Sequence, residues 1–356
     1  MKKYLILAVI FIILGGLILT MTACSANWNF ETFFGNSFEE KELDVKNSFD
    51  SVEIYTDTAD ITLIPSEDGK CRIVTNDRKK IEYTASSDNG VLKIKSVDKR
   101  KWYERIFDFG TPTLTAYLPK TDFNSLVIDE STGNVSITNA FRFGNVDIRI
   151  STGEVTLENV NADSLSIKTS TGKMSLNEIT CNGDVNLKVS TGDSYLRGIS
   201  CKNLISKGST GDITIENLTA YENAFVERTT AKVGITDSTV GGNLDIEVST
   251  GKSNLSGIRC ANLTSDGDTG YISLTDVIAE GKFDIERGTG DVNFNACDAA
   301  EIYVETDTGD VKGTFLSDKV YIVFTDTGKI NVPKTVTGGR CEISTDTGNI
   351  KIEIEQ

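Results

Sequence analysis

The sequence of 356 residues contains no histidine and only four prolines. The lack of histidine excludes Ser–His and Cys–His nucleophile pairs and all imidazole metal ligands. Basic residues are also scarce, because 36 Lys and Arg stand against 52 Asp and Glu and leave a formal net charge of −16. A nucleic acid needs a basic face for its phosphates. We therefore expect no nucleic-acid partner and no cofactor.

One long apolar run is present, and it begins directly after Lys2 and Lys3. Residues 4–23 carry no charge, and a helix of that length at about 1.5 Å per residue spans roughly 30 Å, the thickness of a bilayer core. The two lysines predict that the rest of the chain lies outside the cell. Residues 1–24 are thus predicted to be a membrane anchor or a lipoprotein signal, and residues 25–47 a membrane-proximal linker.

The lipoprotein interpretation rests on Met21-Thr22-Ala23-Cys24-Ser25, which resembles a bacterial lipobox with Met21 where leucine is usual. Cys24 would then be the lipidated residue. An uncleaved transmembrane anchor is the alternative, since the apolar run exceeds the roughly 7–15 residues of an ordinary secretion signal. Cleavage without lipid attachment is a third possibility. The first two predict one location, the extracytoplasmic face of the cell membrane.

The strongest signal is an internal repeat of 19 or 20 residues. A Ser-Thr-Gly triplet or a close variant recurs twelve times, and threonine is its second residue in every copy. The third residues are Gly133, Gly153, Gly172, Gly192, Gly211, Ala231, Gly251, Gly270, Gly290, Gly309, Gly328 and Gly348. Glycine provides a backbone position with positive φ that a Cβ would penalise, so each triplet predicts a tight turn.

Apolar residues hold fixed places around this turn. Val135 and Ile137 lie two and four residues after the first glycine, and Leu126 and Ile128 lie seven and five residues before it. Such alternation predicts strands with one buried face. One repeat cannot bury that face alone, whereas stacked copies can. The sequence therefore predicts an all-β, parallel β-solenoid of about twelve coils, right-handed because about 98% of parallel crossover connections are.

Residues 48–120 precede the regular array and are predicted to form an irregular N-terminal β cap over the open core. Asp57-Thr58-Ala59 is a degenerate first repeat within it. Further strands are predicted at 71–74, 81–84, 91–94 and 113–118. The solenoid is assigned to residues 121–356. Its last strand carries charges that we expect to discourage edge-to-edge growth, at Lys351, Glu353 and Glu355.

The apolar N-terminus, Thr-Ala-Tyr-Leu-Pro at 115–119 and the repeats of Ser-Thr-Gly-Asp-Ile type together resemble the adhesin-type family called domain of unknown function 4097. The resemblance covers residues 48–356. It implies an extracytoplasmic bacterial β-solenoid without an established activity, and some members sit beside cell-envelope stress systems. The shared motifs are repetitive, so they indicate architecture rather than a site.

Aspartate replaces serine in four of the triplets. Asp307, Asp326 and Asp346 are predicted to stack about 4.8 Å apart, where calcium would relieve their repulsion. The alternative is that each carboxylate faces water and bonds its own turn amides, and we expect no metal site. Asp-Thr-Gly also occurs in aspartic proteases, but those need two such loops facing across one cleft. We assign no catalytic residue.

Three of the seven cysteines, Cys181, Cys201 and Cys260, occupy a slot nine residues after the turn, which elsewhere holds alanine or valine. Cys181 and Cys201 are on adjacent coils, and a Cα separation of about 4.8 Å lies within the disulfide range. Their side chains should run parallel, which is unfavourable for the disulfide dihedral. The alternative is that both are small core residues.

Outward-facing strand residues are expected to alternate in charge without a cluster, as in Asp147, Arg149, Lys168, Lys188, Glu227 and Glu247. A basic and aromatic stretch at 99–105 is a candidate contact for anionic lipid or wall polymer, or else a solvated loop of the cap.

These patterns predict a non-enzymatic cell-surface β-solenoid, either an adhesin or a protein that binds an envelope component. Its partners would be the membrane, through the N-terminus, and a cell-wall polymer or an envelope protein. Two alternatives stay open. One is an accessory or sensor component of a cell-envelope stress system, and the other is a carbohydrate-active β-helix enzyme.

Overall fold

The computed structural model describes residues 11–17, 38–45, 47–78, 80–100, 110–119, 122–138 and 140–355. Residues 11–17 are helical. Within the described ranges, no helix combines the length and the apolar character needed to cross a membrane. Cys24 and its lipobox lie outside the described residues.

All other regular structure in the described ranges is β. The strands are β1 (Phe38–Val45), β2 (Ser51–Thr58), β3 (Asp60–Pro65), β4 (Cys71–Arg78), β5 (Ile81–Asp88), β6 (Val91–Asp98), β7 (Thr113–Leu118), β8 (Phe123–Thr132), β9 (Val135–Ile137), β10 (Phe141–Thr152), β11 (Val155–Glu158), β12 (Val160–Thr171), β13 (Met174–Cys181), β14 (Val185–Thr191), β15 (Ser194–Cys201), β16 (Leu204–Thr210), β17 (Ile213–Glu216), β18 (Thr219–Ala220), β19 (Ala224–Thr269), β20 (Ile272–Thr289), β21 (Val292–Thr308), β22 (Val311–Phe315), β23 (Lys319–Thr327), β24 (Ile330–Asn331), β25 (Gly339–Thr347) and β26 (Ile350–Ile354).

Equivalent strands of successive repeats pair in parallel. Before the turn, Ile148 pairs with Ile128 on one side and with Ile167 on the other. After the turn, Leu157 lies between Ile137 and Leu176. The predicted β-solenoid is therefore confirmed, with about 11 turns where about twelve coils were expected. Its right-handedness stays a prediction.

The core is one continuous column inside the coils. The four slots predicted from the alternation are filled by residues such as Leu126, Ile128, Val135 and Ile137, none of them more than 1% exposed. Burying each such side chain contributes about 1.5–3 kcal/mol. Because the coils are small, nearly every second strand residue belongs to this core.

The eight coils from Gly153 to Gly290 each turn at two sharp corners, of which the sequence indicated only one. At the first corner, glycines such as Gly133, Gly172 and Gly251 have φ between 127° and 155°. The second corner lies six residues later in a left-handed conformation, with φ between 48° and 65°. It holds Asn159, Glu178, Gly198, Asn217, Asp237, Gly257, Asp276 and Ala296. Asn, Asp and Gly tolerate this conformation best, so their recurrence was the signal that could have revealed it.

Chain order and spatial order differ at the N-terminal end. In β2, Ile54 pairs with Ile94 of β6 on one side and with Ile128 of β8 on the other. β3 lies likewise between β7 and β9. The degenerate first repeat is thus the second coil of the stack. Beyond it, β5 pairs with β6, β4 with β7 and β1 with β4, all antiparallel, and these strands end the stack.

Strand β1 corrects the predicted linker of 25–47. Its eight residues pair along their full length with β4, from Phe38 opposite Arg78 to Val45 opposite Cys71. Leu43 and Val45 are partly buried against the core. The strand is not apparent in the sequence because five of its eight residues are charged, and its exposed positions, Glu40, Glu42 and Asp44, alternate with partly buried ones.

At the C-terminal end, too, the order of the coils in the stack differs from their order in the sequence. In β25, Ile343 pairs with Val304 of β21 and with Val323 of β23. The amide of Gly348 accordingly donates to the carbonyl of Thr327 at 3.0 Å. The last coil in the sequence therefore lies inside the stack, and residues 319–331 form the outermost coil. A salt bridge of 2.6 Å between buried Lys319 and Asp298 secures that coil.

This arrangement overturns the expectation that Lys351, Glu353 and Glu355 protect the terminal edge. β26 is an inner strand, between β22 and β24. The outermost strand β23 exposes apolar side chains instead, including Ile322 at 49% and Phe324 at 58%. The expectation failed because all coils share one strand pattern, so any coil can pair with any other.

Candidate interaction face

The strands that precede the glycine corner form one broad sheet, and we call its outer surface the ladder face. Its outward residues lie six, four and two positions before each corner. Strand pairing places equivalent residues of neighbouring coils beside each other, about 4.8 Å apart. Each of the three positions therefore forms a row along the solenoid.

The central row, four residues before the corner, is divided by charge. Its basic segment occupies four successive coils with Arg149, Lys168, Lys188 and Lys207. Its acidic segment occupies the next five coils with Glu227, Glu247, Asp266, Glu286 and Glu305. The two segments meet where Lys207 pairs with Glu227.

The expectation of alternating charge without a cluster is therefore wrong. Charges do alternate along one strand, as Asp147 and Arg149 show. Between strands, however, like charges are neighbours. The segregation is visible only when the repeats are aligned on their corners, with the period of 19–20 residues. Such an alignment of the sequence alone is enough to show it.

Segregation costs stability within one chain. Like charges on directly neighbouring strands are destabilising, whereas opposite charges contribute roughly 0.2–1 kcal/mol per pair. Lys168 and Lys188 have no carboxylate within 4 Å among the described residues. Arg149 bonds Asp147 of its own strand, and Lys207 bonds Glu227 across the junction at 2.7 Å. An alternating row would have stabilised the fold, so the observed order points to a role beyond folding.

The flanking rows keep this face open and polar. Two residues before the corner, the four basic coils carry a row of small hydroxyl residues, namely Ser151, Ser170, Ser190 and Ser209, which Ser131 continues in the preceding coil. The junction is more apolar, since half-buried Ile205 and Phe225 are neighbours six residues before their corners. The Lys207 ammonium lies 4.7 Å from the centroid of the Phe225 ring.

The candidate metal ligands lie at the acidic end of this face. Asp307, Asp346 and Asp326 are all exposed, and strand pairing stacks their coils in that order. Within the described ranges, no three His, Cys, Asp or Glu side chains come together as a metal site. Each carboxylate adds instead to the negative charge of the acidic half.

The cysteines belong to the core. Cys181 and Cys201 are 2% and 0% exposed, and both are free thiols. Burial raises the pKa of the Cys201 and Cys260 thiols to about 12. Thiols that remain protonated are poor nucleophiles, so these residues serve packing.

Two arginines inside the core were not anticipated. Arg228 is 2% exposed, and its Nη1 donates to the carbonyl oxygens of Ser206 at 3.1 Å and Glu227 at 2.8 Å. Arg287 makes the equivalent bonds to Ser265 and Glu286. Burial lowers the pKa of each guanidinium to about 10, so both remain charged at neutral pH.

These sites reveal a longer period of three coils. The two arginines are 287 − 228 = 59 residues apart, and Ser206, Gly208 and Cys201 recur at Ser265, Gly267 and Cys260 with the same separation. Gly208 lies beside Arg228 in the neighbouring coil. A side chain there would crowd the arginine, because a Cβ at Gly208 would lie 3.0 Å from Nε of Arg228. A search for a 59-residue period would have found this set.

Polar residues are also buried near the N-terminal end. Glu130 is 1% exposed, and its Oε1 accepts bonds from the amides of Ala59 and Thr132, both at 3.2 Å. Burial raises the pKa of this carboxyl to about 8. In the basic stretch 99–105, Arg100 bonds Asp98 through both Nε and Nη2, and Lys99 pairs with Glu82. Residues 101–105 lie outside the described part.

The described coils form a uniform solenoid with one face on which basic and acidic residues are segregated. A family model matches its repeats over residues 49–236 and 222–356. The chain belongs to the Toastrack DUF4097 family. Membership confirms the resemblance seen in the triplet repeats. A comparison with curated proteins finds no match for the chain.

Three solved structures are similar to this Toastrack chain. A "putative adhesin" of Bacteroides fragilis is 14% identical, with 89% of this chain and 97% of that one covered and a TM-score of 0.25. A "putative lipid binding protein" of Parabacteroides distasonis is 11% identical, with the same coverages and TM-score. A "putative cell adhesion protein" of Clostridium sporogenes is 9% identical, with 90% of this chain and 100% of that one covered and a TM-score of 0.20.

Proposed function

We propose that this Toastrack protein is a non-enzymatic cell-surface protein that binds its partner, a protein or an envelope component, through the ladder face. The observation that carries the proposal is the segregated central row. Four basic and five acidic residues face outward on successive coils, in an order that weakens the fold. A face that retains such an order is suited to recognise complementary charge.

The chemistry of the described residues favours binding over catalysis. A carboxylic acid that acts as a general acid in glycoside hydrolysis has a pKa raised by a buried position beside the substrate. The carboxylates of the acidic segment face solvent. Glu130, whose pKa is raised, is enclosed in the core instead. The buried thiols are protonated, as described above.

The N-terminal residues supply the proposed location. We infer that residues 1–24 tether the rod to the extracytoplasmic face of the membrane, either as a transmembrane segment or through lipidated Cys24. The mass of the mature N-terminus distinguishes the two. A diacylated Cys24 establishes the lipoprotein, and an intact N-terminus establishes the anchor. A free, unlipidated terminus in the growth medium contradicts both.

Binding can be tested with the full chain in mild detergent, added to intact cells, isolated wall material and membrane vesicles. The test variant neutralises four ladder residues: Lys168→Gln, Lys188→Gln, Glu247→Gln and Asp266→Asn. The control variant neutralises two exposed ion pairs elsewhere on the rod, Lys202–Glu222 and Lys232–Asp212. Both variants keep the net charge unchanged.

We expect the wild-type chain and the control variant to bind at least one fraction. The ladder variant should bind that fraction at least about ten-fold more weakly, as the loss of several exposed ion pairs of roughly 0.2–1 kcal/mol each requires. Absence of binding to every fraction, or equal binding by the ladder variant, would contradict the proposal.

A further inference from the structure

The central row is complementary to itself when it is turned end over end. A two-fold axis parallel to the strands, placed between Lys207 and Glu227, reverses the order of the coils and lays one ladder face on another. Each basic residue then lies opposite an acidic residue of the second copy. The pairs are Lys207 with Glu227, Lys188 with Glu247, Lys168 with Asp266 and Arg149 with Glu286.

We infer that the ladder face binds the ladder face of a second copy of this chain, in antiparallel orientation. The inference rests on the proposed function and names its partner. Because the contact is isologous, each of the four pairs occurs twice, which gives eight contacts between opposite charges. Parallel rods in register would instead place every charge against its own kind. The charge pattern thus selects the antiparallel arrangement.

The centre of this contact is suited to close approach. The axis brings Ile205 opposite Phe225 of the second copy, so a small apolar cluster is surrounded by the charge pairs. Ser209 and Thr229 meet beside it, and Ser190 faces Ser249. These short side chains allow two sheets to approach to about 10 Å. Like charges meet toward the margin, where Asp129 faces Glu305 and Asp147 faces Asp284.

A second copy fits this face better than a charged polymer does. A polyanion would contact four basic residues, one of them already bonded to Asp147, on a chain of net charge −16. A polycation would contact only the other half. A partner for the whole row needs both signs in two blocks at the strand spacing of about 4.8 Å. A second copy carries that pattern.

The antiparallel contact has a consequence for cells. The strands β1, β4 and β5 lie at one end of each rod, and the coil of residues 319–331 lies at the other end. In the antiparallel pair the N-terminal ends therefore point in opposite directions. Copies tethered by their N-termini on two facing cells can form this pair, which would make the protein a homophilic adhesin.

A charge-exchange experiment tests the inference. One variant carries Lys168→Glu and Lys188→Glu, and the other carries Glu247→Lys and Asp266→Lys. Self-pairing of either variant places four pairs of like charges at the contact. In a 1:1 mixture, all four positions again pair opposite charges. A control variant, Lys202→Glu with Lys232→Glu, makes the same change in net charge as the first variant, away from the ladder face.

Sedimentation of the full chain in mild detergent, at low salt and at 1 M NaCl, measures association. We expect a wild-type dimer that dissociates at 1 M NaCl, because screening removes interactions between exposed charges. Each variant alone should associate at least about ten-fold more weakly, the mixture should return to within about three-fold of wild type, and the control variant should behave as wild type.

Three outcomes would overturn the inference. The first is a wild-type chain that stays monomeric at low salt. The second is a mixture that fails to associate although wild type does. The third is association that persists in 1 M NaCl and in both variants, which would indicate contact through the apolar edge of β23. A monomeric chain that still binds a wall polymer through the ladder face would leave the proposed function standing and remove only this inference.

Discussion

At the scale of single residues, the first corner needs glycine for two separate reasons. Gly270 has φ of +133°, a conformation that side chains rarely adopt. A Cβ there would also lie 1.5 Å from the carbonyl oxygen of Gly251 in the coil below. Ala231 is the one third residue of the twelve triplets that is not glycine. It avoids the strain of a positive φ, since its own φ is not positive. Close stacking of corners is thus what the glycines permit.

The substitution Gly270→Ala should therefore lower the free energy of unfolding by about 2 kcal/mol or more, since strained φ alone costs about 1–3 kcal/mol. The matched control is Gly234→Ala. At Gly234 a Cβ would meet nothing closer than 3.9 Å, and φ is not positive. Urea unfolding should show no loss for the control. Equal stability of the two variants would show that corner stacking is not limiting.

Glu130 should make stability depend on pH. Its folded pKa of about 8 lies above the ordinary value of 4.5, chiefly because of burial, so the folded state holds a proton that the unfolded state releases between these values. Stability from this group is therefore full below about pH 4.5 and falls as pH rises to about 8.

The variant Glu130→Gln removes that titration. We expect it to be more stable than wild type at pH 9 by about 2 kcal/mol, with the difference shrinking toward pH 5. Thermal melts across this range provide the measurement, and the control is Glu154→Gln, a half-buried surface residue whose carboxylate pairs with Lys173. A difference that is constant with pH would show that Glu130 is charged in the folded state.

At the scale of the coil, the buried arginines should behave as two copies of one element. Truncation by Arg228→Ala or Arg287→Ala removes a long buried side chain and leaves the hydroxyls of Ser206 or Ser265 without that donor. Each should cost about 3 kcal/mol, within the range for buried side chains that fill space and bond polar groups. Unfolding experiments should find the two losses equal within about 1 kcal/mol. Clearly unequal losses would mean that the three-coil period is a pattern of sequence without a common energetic role.

Most of the coil could be predicted from local sequence, because strand alternation and the corner glycines act over a few residues. Leu126, Ile128, Val135 and Ile137 lie where their spacing placed them. What could not be predicted is which coil lies on which. Every coil offers the same edges, so the exchange of β25 and β23 depends on small differences of packing and connection. The ladder face was missed for another reason, since its residues are related only through the period.

The exchanged coils should be visible in hydrogen exchange. β25 is paired on both sides, whereas β23 is paired only with β25 among the described residues. Amides of β25 should therefore exchange at least about ten-fold more slowly than those of β23, although β25 is nearer the C-terminus. Strand β21 is the internal control and should match β25. Faster exchange in β25 than in β23 would indicate that the coils stack in chain order.

At the scale of the whole molecule, the first and the last coil in the sequence both lie inside the stack. The first coil in the sequence lies under β6 and β7, and the last lies under β23 and β24. A solenoid whose end coils are also its chain ends can fray from either terminus. Here the outermost coils, made by β6 with β7 and by residues 319–331, are internal segments whose two ends are anchored in the stack. This topology suits a rod that is pulled lengthwise, as the proposed contact between facing cells requires.

The ladder face then implies a conflict between folding and binding that one substitution can expose. Lys188 lies between Lys168 and Lys207, so Lys188→Glu replaces two repulsive neighbours with two attractive ones. Folding of the isolated chain should gain about 0.5–1 kcal/mol at low salt. The same change places a carboxylate of one copy opposite the Glu247 carboxylate of the other and should weaken association.

Denaturation at protein concentrations below association, compared at low salt and at 1 M NaCl, measures the gain, which screening should reduce. The control Lys202→Glu should have the opposite sign, because it breaks the ion pair with Glu222. If Lys188→Glu destabilised the monomer, the order of charges would be part of the fold itself, and the case for a binding face would lose its physical basis.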